Sequence, residues 1–284
     1  MSAEIDFSKR RKPAFKLPPG ATDAHCHVFG PGNVFPYAEG RRYTPEDAPK
    51  ETLKALHDHL GIERAVIVQA SCHGSDNRAM LDALAWRPDH YRGVAILDQN
   101  TPGGDIPVMA RAGVRGARFN FVKHLGGSPD MAVFTNILRR IKPLGWHVVL
   151  HVDAPDIVEL SDMIRGLTIP FIIDHMGRVP AKDGVDQKPL LALLDLAKLD
   201  RCWIKVCGSE RIDMPPYDKA IPIAKKIVEA SPDRVLWGTD FPHPNATHEA
   251  DEADLVDLVP KIAPSAAHQQ KLLVDNPARL YGFA

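Results

Sequence analysis

Eight short apolar runs punctuate the chain, and the segments between them carry hydrophobic residues at helical spacing. The runs are 21–28, 64–70 (RAVIVQA), 91–97, 114–119, 146–152, 170–175, 202–207 and 235–240. The intervening pattern predicts helices over 49–60, 77–86, a stretch including 108–112, 131–143, 156–165, 188–199 and 217–230, with a last helical region at 265–274. In 131–143, for example, Val133, Ile137, Leu138 and Ile141 fall on one face of a 3.6-residue repeat. Runs this rich in Val and Ile, alternating with amphipathic helices, predict a parallel sheet covered by helices. Eight such units favour a closed (β/α)8 barrel, a TIM barrel, over an open doubly wound sheet. An open sheet would more often show a Gly-rich turn after its first strand. Here Val28-Phe29-Gly30-Pro31-Gly32 lacks the G-x-G-x-x-G pattern and is too Pro-rich to start a helix. One domain over 21–284 is expected, preceded by an arm over 1–20 that is poorly ordered and laid over the barrel. The Pro/Gly-rich stretch 29–49 is expected to loop over the barrel mouth.

Polar residues stand where these runs end. Asp23-Ala24-His25-Cys26-His27 closes the first run, Asp174-His175 the sixth and Gly238-Thr239-Asp240 the eighth. In a strand, residues two apart share a face, so His25 and His27 project together while Cys26 projects away. Ser71 follows the second run, Arg118 lies in the fourth and His151 in the fifth. Arg178 and Arg211 stand just beyond the sixth and seventh. In a barrel all these positions converge at the C-terminal mouth. A single histidine there would read as a satisfied core residue. Five strand-end His and Asp side chains read as a site, because buried polar groups without partners cost several kcal/mol each.

The chemistry suits hydrolysis. Asp240 can take a proton from water while His25, His27 and His175 orient that water or polarise a carbonyl. The same imidazoles, with His151 and Asp240, could alternatively ligate one divalent metal ion that acidifies a bound water. Arg118, Arg178 and Arg211 are forks for carboxylates. His57 and His59, two apart on a helix, are expected to be solvated. His73 is expected near the mouth and His243 at its rim or in a loop role; His90, His147, His248 and His268 read as structural or exposed.

Composition narrows the partners. The 284 residues include 44% hydrophobic and 25% charged side chains, and the net charge is -1 with Lys and Arg scattered. Nothing here makes an electrostatic case for nucleic acid or a membrane surface. No apolar run approaches the ~18–20 residues that span a bilayer, and the first 20 residues lack the apolar core of a secretory signal. The four cysteines (Cys26, Cys72, Cys202, Cys207) show no Cys-x-x-Cys spacing, so they read as reduced, buried thiols of a cytoplasmic protein.

The His-x-His of the first run, the histidine of the sixth and the Gly-Thr-Asp of the eighth resemble the amidohydrolase superfamily. More narrowly, DAHCHVFGP, VIVQASCHG, RFNFVK, IDHMGR, WGTDFPHPN and NPARLYG resemble the 2-pyrone-4,6-dicarboxylate lactonases, from about Pro18 to Tyr281. The resemblance implies a distorted (β/α)8 barrel that opens a cyclic ester in the catabolism of lignin-derived aromatics. It implies Asp240 as general base, with His25, His27 and His175 around the reacting carbonyl. Tyr43, Ser71, Arg118, Arg178 and Arg211 correspond to substrate contacts. Two positions depart from that pattern: His124 stands in place of a substrate-gripping arginine and His151 in place of a tyrosine. His151 restores a ligand type found in metal-dependent relatives, whereas the lactonases work without metal. Arg118 replaces the lysine that a two-metal site needs for its carbamate bridge. The expected substrate is therefore a small anionic lactone, with either no cofactor or one divalent metal ion. A sulfomuconolactone, a sugar-acid lactone, metal-dependent decarboxylation and non-catalytic binding are the competing readings; the oligomeric state is left open.

Overall fold

The computed structural model describes residues 6–284. All eight expected strands form: β1 (Thr22–Cys26), β2 (Arg64–Val68), β3 (Tyr91–Ala95), β4 (Val114–Asn120), β5 (His147–His151), β6 (Phe171–Ile173), β7 (Cys202–Lys205) and β8 (Val235–Leu236). They make one sheet in sequential order, each strand parallel to the next. Between β8 and β1 the ring is closed by separate backbone bonds. Ala24 N donates to Trp237 O (2.8 Å), Asp240 N to His25 O (2.7 Å) and His27 N to Phe241 O (2.8 Å). This is the TIM barrel anticipated above.

Both faces of the strands are apolar, which is why the runs read as continuous rather than alternating. On β2, Val66 and Val68 turn into the barrel while Ala65 and Ile67 turn out towards the helices. The interior layer adds Ala24, Val94, Val149, Ile172 and Trp203, and the C-terminal Tyr281 and Phe283 pack against it. On β1 the register with β2 shifts between Asp23 and Cys26, a bulge that re-aims the strand end.

Several elements depart from expectation. β8 stops after two residues, and the rest of its run leaves the sheet. There Asp240 takes a left-handed backbone (φ 61°), and the segment bonds to β1 instead. The helix expected over 156–165 is two pieces, Ala154–Glu159 and Ser161–Arg165. That over 265–274 is α-helical only for Ala266–Gln270, widens into a π turn at Lys271–Asp275 and resumes as Asn276–Tyr281. The helices Glu252–Asp257 and Val259–Ile262 were not legible in the pattern.

The described part of the N-terminal arm is docked rather than poorly ordered. Phe7 is buried edge-on against Phe241 (6.2 Å between centroids), Arg10 pairs with Glu252 (3.2 Å), and Arg11 reaches Asp254 and Asp257. The four cysteines are free and buried. Among the described residues no helix is long and apolar enough to cross a membrane.

Candidate active site

The loops after the strands surround a small cavity of about 40 Å³. Its walls hold His27, Tyr43, Ser71, Arg118, His124, His151, His175, Arg178, Arg211 and Asp240. Every residue expected at the site is there except His25, which lies fully buried against it. Tyr43 arrives on the 29–49 loop, so this loop does reach the mouth. Its hydroxyl is pushed to a higher pKa, chiefly by burial. His124 is exposed on the single turn Lys123–Leu125.

Asp240 is the centre. Its Oδ2 accepts from Arg211 Nε (2.6 Å) and forms an ion pair with Nη2 (2.5 Å). Its Oδ1 faces His27 Nε2 at 3.2 Å and His25 Nε2 at 3.5 Å, while His175 Nδ1 lies 3.9 Å from Oδ2. Burial alone would raise the Asp240 pKa. The Arg211 charge, His175, a His27 hydrogen bond and His25 more than offset this, and hold the carboxyl well below the usual range. Arg211 also donates from Nη1 to Pro244 O (2.7 Å), which ties it to the loop beyond Asp240.

Three of the imidazoles are pushed towards the neutral form. Burial, then Lys205, lowers His25 to about 4; burial, then Arg118 and His175, pulls His151 well down; burial likewise lowers His175. Both ring nitrogens of His151 are buried without a partner among the described residues. His175 sits on a left-handed turn (φ 50°) with its Nδ1 3.4 Å from Cys207 Sγ. A Cβ at Gly208 would stand 2.9 Å from that Nδ1, so this close approach requires glycine. Arg178 pairs with Asp153 (2.8 Å) and Arg118 with Asp174 (3.2 Å).

Three groups of consequence carried no assigned role in the sequence reading. Lys205, inside the apolar run Cys-Trp-Ile-Lys-Val, alternates with Trp203 into the barrel and is wholly buried, its Nζ 3.1 Å from His25 Nδ1. Asp174 receives Arg118 on Oδ2, and its Oδ1 lies 3.3 Å from Lys205 Nζ. A charged residue within a buried strand was the available signal for both. Asp23 accepts from His25 N (3.1 Å), Thr239 N (3.0 Å) and Thr239 Oγ1 (2.5 Å), and it contacts His57 Nε2 (3.1 Å). His57 is therefore buried, not solvated: its helix turns that face onto β1. His59 is partly exposed, as expected of it, and bonds Arg11 O. His147 is a buried structural residue packed on Tyr281. His243 lies between Glu210 (3.6 Å) and Glu252 (3.4 Å), behind Arg211, and lines the groove between the 29–49 loop and the segment after Asp240, in keeping with a rim position.

Of the five groups considered as metal ligands, His25, His27 and Asp240 bring donor atoms within 4.8 Å of one another; among the described residues His151 joins no such cluster. His27 Nδ1 lies 2.7 Å from Val68 O and donates to it, while Nε2 lies 3.2 Å from Asp240 Oδ1, within hydrogen-bonding distance. By spacing and donor type, His25, His27 and Asp240 fit one divalent ion.

The description of the amidohydrolase family matches residues 22–283. The 2-pyrone-4,6-dicarboxylate hydrolase of Comamonas testosteroni is 47% identical over 97% of this chain and 94% of its own length. The 4-sulfomuconolactone hydrolase of Rhizobium radiobacter is 43% identical over 95% and 92% respectively. A solved Pseudomonas putida structure, described as a candidate 2-pyrone-4,6-dicarboxylic acid hydrolase, superposes with a TM-score of 0.82 at 34% identity. It covers 94% of this chain and 99% of that one. With the match running from the first strand to the penultimate residue, this chain belongs to the amidohydrolase family.

Proposed function

We propose that this amidohydrolase opens the ring ester of a small anionic lactone, 2-pyrone-4,6-dicarboxylate or a close analogue, during breakdown of lignin-derived aromatics. The observation that carries this reading is a buried, ionised carboxylate, Asp240, with one oxygen clamped by Arg211 and the other turned to two imidazoles. Arginines 118, 178 and 211 and the 47% identity to a hydrolase of that lactone support the anionic substrate.

Arg118, Arg178 and Arg211, with Tyr43, Ser71, His124 and His151, grip the carboxylates, and His151 offers its unpartnered nitrogens where they meet the ligand. A water beside Asp240 Oδ1 attacks the ring carbonyl carbon as that oxygen takes its proton. The charge developing on the carbonyl oxygen is met by neutral imidazole donors, His25 and His175. Collapse breaks the ring C–O bond, and the leaving oxygen recovers the proton. The new carboxylic acid then ionises and releases one proton to solvent. A substrate carboxylate that draws Arg211 from Asp240 would raise the basicity of Oδ1 when the ring is in place. One divalent ion held by His25, His27 and Asp240 would supply acidification of the water. The free, buried thiols accord with a reducing compartment such as the cytoplasm.

The test is a lactone panel followed by proton release and by loss of ring absorbance. It should include 2-pyrone-4,6-dicarboxylate, a sulfomuconolactone and a sugar-acid lactone. Turnover of the first at an enzyme-like rate is the expected result. Carbon dioxide release without ring opening would replace the reading with decarboxylation.

A further inference from the structure

A second cavity, of about 410 Å³, adjoins the catalytic one among the loops after β2, β3 and β4. The two share Ser71, Arg118, Leu125 and His151 as a common wall. At ~10–15 Å³ per enclosed water, the catalytic cavity of about 40 Å³ has room for roughly three waters. A ring with its substituents must therefore draw on the larger space beside it.

The lining says what that space can take. It is mostly apolar: Ile96 and Leu97 follow β3, Phe119 is an outward residue of β4, and Val133 stands on the helix Met131–Ile141. Apart from the shared Arg118 and His151, its charged residues are Asp98 and Asp130. Asp98 accepts from Ser75 Oγ (2.7 Å), and Asp130 caps the helix through Ala132 N (2.7 Å). Two carboxylates with Arg118 already paired to Asp174 oppose a further anion, so the fitting occupant is uncharged.

The junction between the cavities also lacks polar partners. Asn120 and His151 stand opposite each other across β4 and β5. Among the described residues, Asn120 Oδ1 and both ring nitrogens of His151 have no hydrogen-bond partner, and His151 is only 5% exposed. Polar atoms buried in this way are costly unless a ligand meets them.

We propose that the second cavity is an annex of the active site that receives an uncharged, mainly apolar arm on the ring, so that the substrate class extends to substituted anionic lactones. That the ring is a lactone rests on the reading above; the binding of the arm does not.

The test uses the full-length protein and benzene-1,3-dicarboxylate, which carries the same pair of carboxylates on a ring that cannot open. Its 2-benzyl and 4-benzyl derivatives place an arm at the counterparts of the two free carbons of 2-pyrone-4,6-dicarboxylate. By calorimetry, one of the two should bind about 10–100-fold tighter than the unsubstituted acid, the effect of burying an apolar group of side-chain size. Val133→Trp, which fills the annex away from the residues that grip the ring, should remove that gain and leave the affinity of the unsubstituted acid unchanged. Ser128→Trp, at an exposed position on the same wall, is the second variant and should do likewise. A carboxylate at the tip of the arm should also cost the gain. Wild type that binds neither benzyl derivative more tightly overturns the proposal even if Val133→Trp does not fold. So does a gain that survives both substitutions, or one that a carboxylate tip keeps in full. A folded variant that weakens all the acids alike would make the cavity an entry passage and overturn the annex. A gain in binding with no turnover of 2-pyrone-4,6-dicarboxylate would uphold the annex and overturn the proposed reaction alone.

Discussion

Arg211 holds Asp240 by a single oxygen: Nε and Nη2 both reach Oδ2, at 2.6 and 2.5 Å, and Oδ1 is left to the histidines. The carboxylate is thereby divided into an oxygen that fixes orientation and an oxygen free to accept a proton. If Oδ1 is the base, Asp240→Asn should fold and bind substrate, with kcat lowered about 10²–10⁴-fold. Near-wild-type turnover in that variant would remove Asp240 from the chemistry.

The same pair makes a forecast about pH. Burial opposes ionisation of Asp240, and Arg211 with the neighbouring imidazoles outweighs it, so the carboxyl stays charged far into acid. From this group alone, kcat/KM of wild type should be flat as pH falls from ~7 to ~5, since an ordinary Asp titrates near ~3.9. Arg211→Met leaves burial in command and should move the acid limb upward. The position of the limb, rather than the level of activity, is the readout; an unmoved limb would mean that Arg211 does not set the charge of Asp240.

Asp23 joins the two ends of the barrel. It bonds His25 N on β1 and both donors of Thr239 next to the base, and it contacts His57 from the helix Lys50–Leu60. Asp23→Ala would strand several buried donors at once, each worth about 1–3 kcal/mol. Denaturant unfolding should show a loss of about 3 kcal/mol or more, with a fall in kcat because His25 and Asp240 both hang on this carboxylate. Unchanged stability would assign the closure to the three backbone bonds between β1 and the segment after β8.

Much of this was legible in the chain. Eight Val/Ile-rich runs sufficed for the barrel, and His and Asp at the run ends sufficed for the residues that share one cavity. What escaped were groups whose meaning is tertiary. His57 looked like a helix-surface histidine because its partner, Asp23, is 34 positions away. Lys205 was hidden in a run whose apolar neighbours set the pattern. The run 235–240 looked like one strand, but the left-handed Asp240 takes its end out of the sheet. Periodicity reports which face is buried; it does not report which buried polar groups find each other.

His243 links stability to pH. Burial would lower its pKa, but hydrogen bonds and charge from Glu210 and Glu252 raise it to about 10. The folded protein therefore keeps this proton where an unfolded histidine, at ~6.5, has lost it. The contribution is fully present below ~6.5 and is lost as pH rises through about 10. Melting temperature should decline across that window, and the decline should flatten in His243→Gln. A slope identical in the variant would trace the decline to other groups.

Arg118, Arg178 and Arg211 share one small cavity in a chain of net charge -1, so the concentration of cations is local. Arg118 is anchored through Nε to Asp174 and Arg178 through Nε to Asp153, which fixes the direction of each side chain. Arginines held in this way favour carboxylates that can accept two parallel bonds. A dicarboxylated or sulfonated lactone should therefore be hydrolysed with higher kcat/KM than its neutral methyl ester. Arg118→Met should erase about 10–100-fold of that preference, the equivalent of one charge-assisted contact of ~1.5–3 kcal/mol. Steady-state kinetics on a charged and an uncharged lactone of the same ring decide the matter. Equal kcat/KM for the two would show that the arginines are committed to their own carboxylates, and a neutral sugar-acid lactone would become the better substrate class.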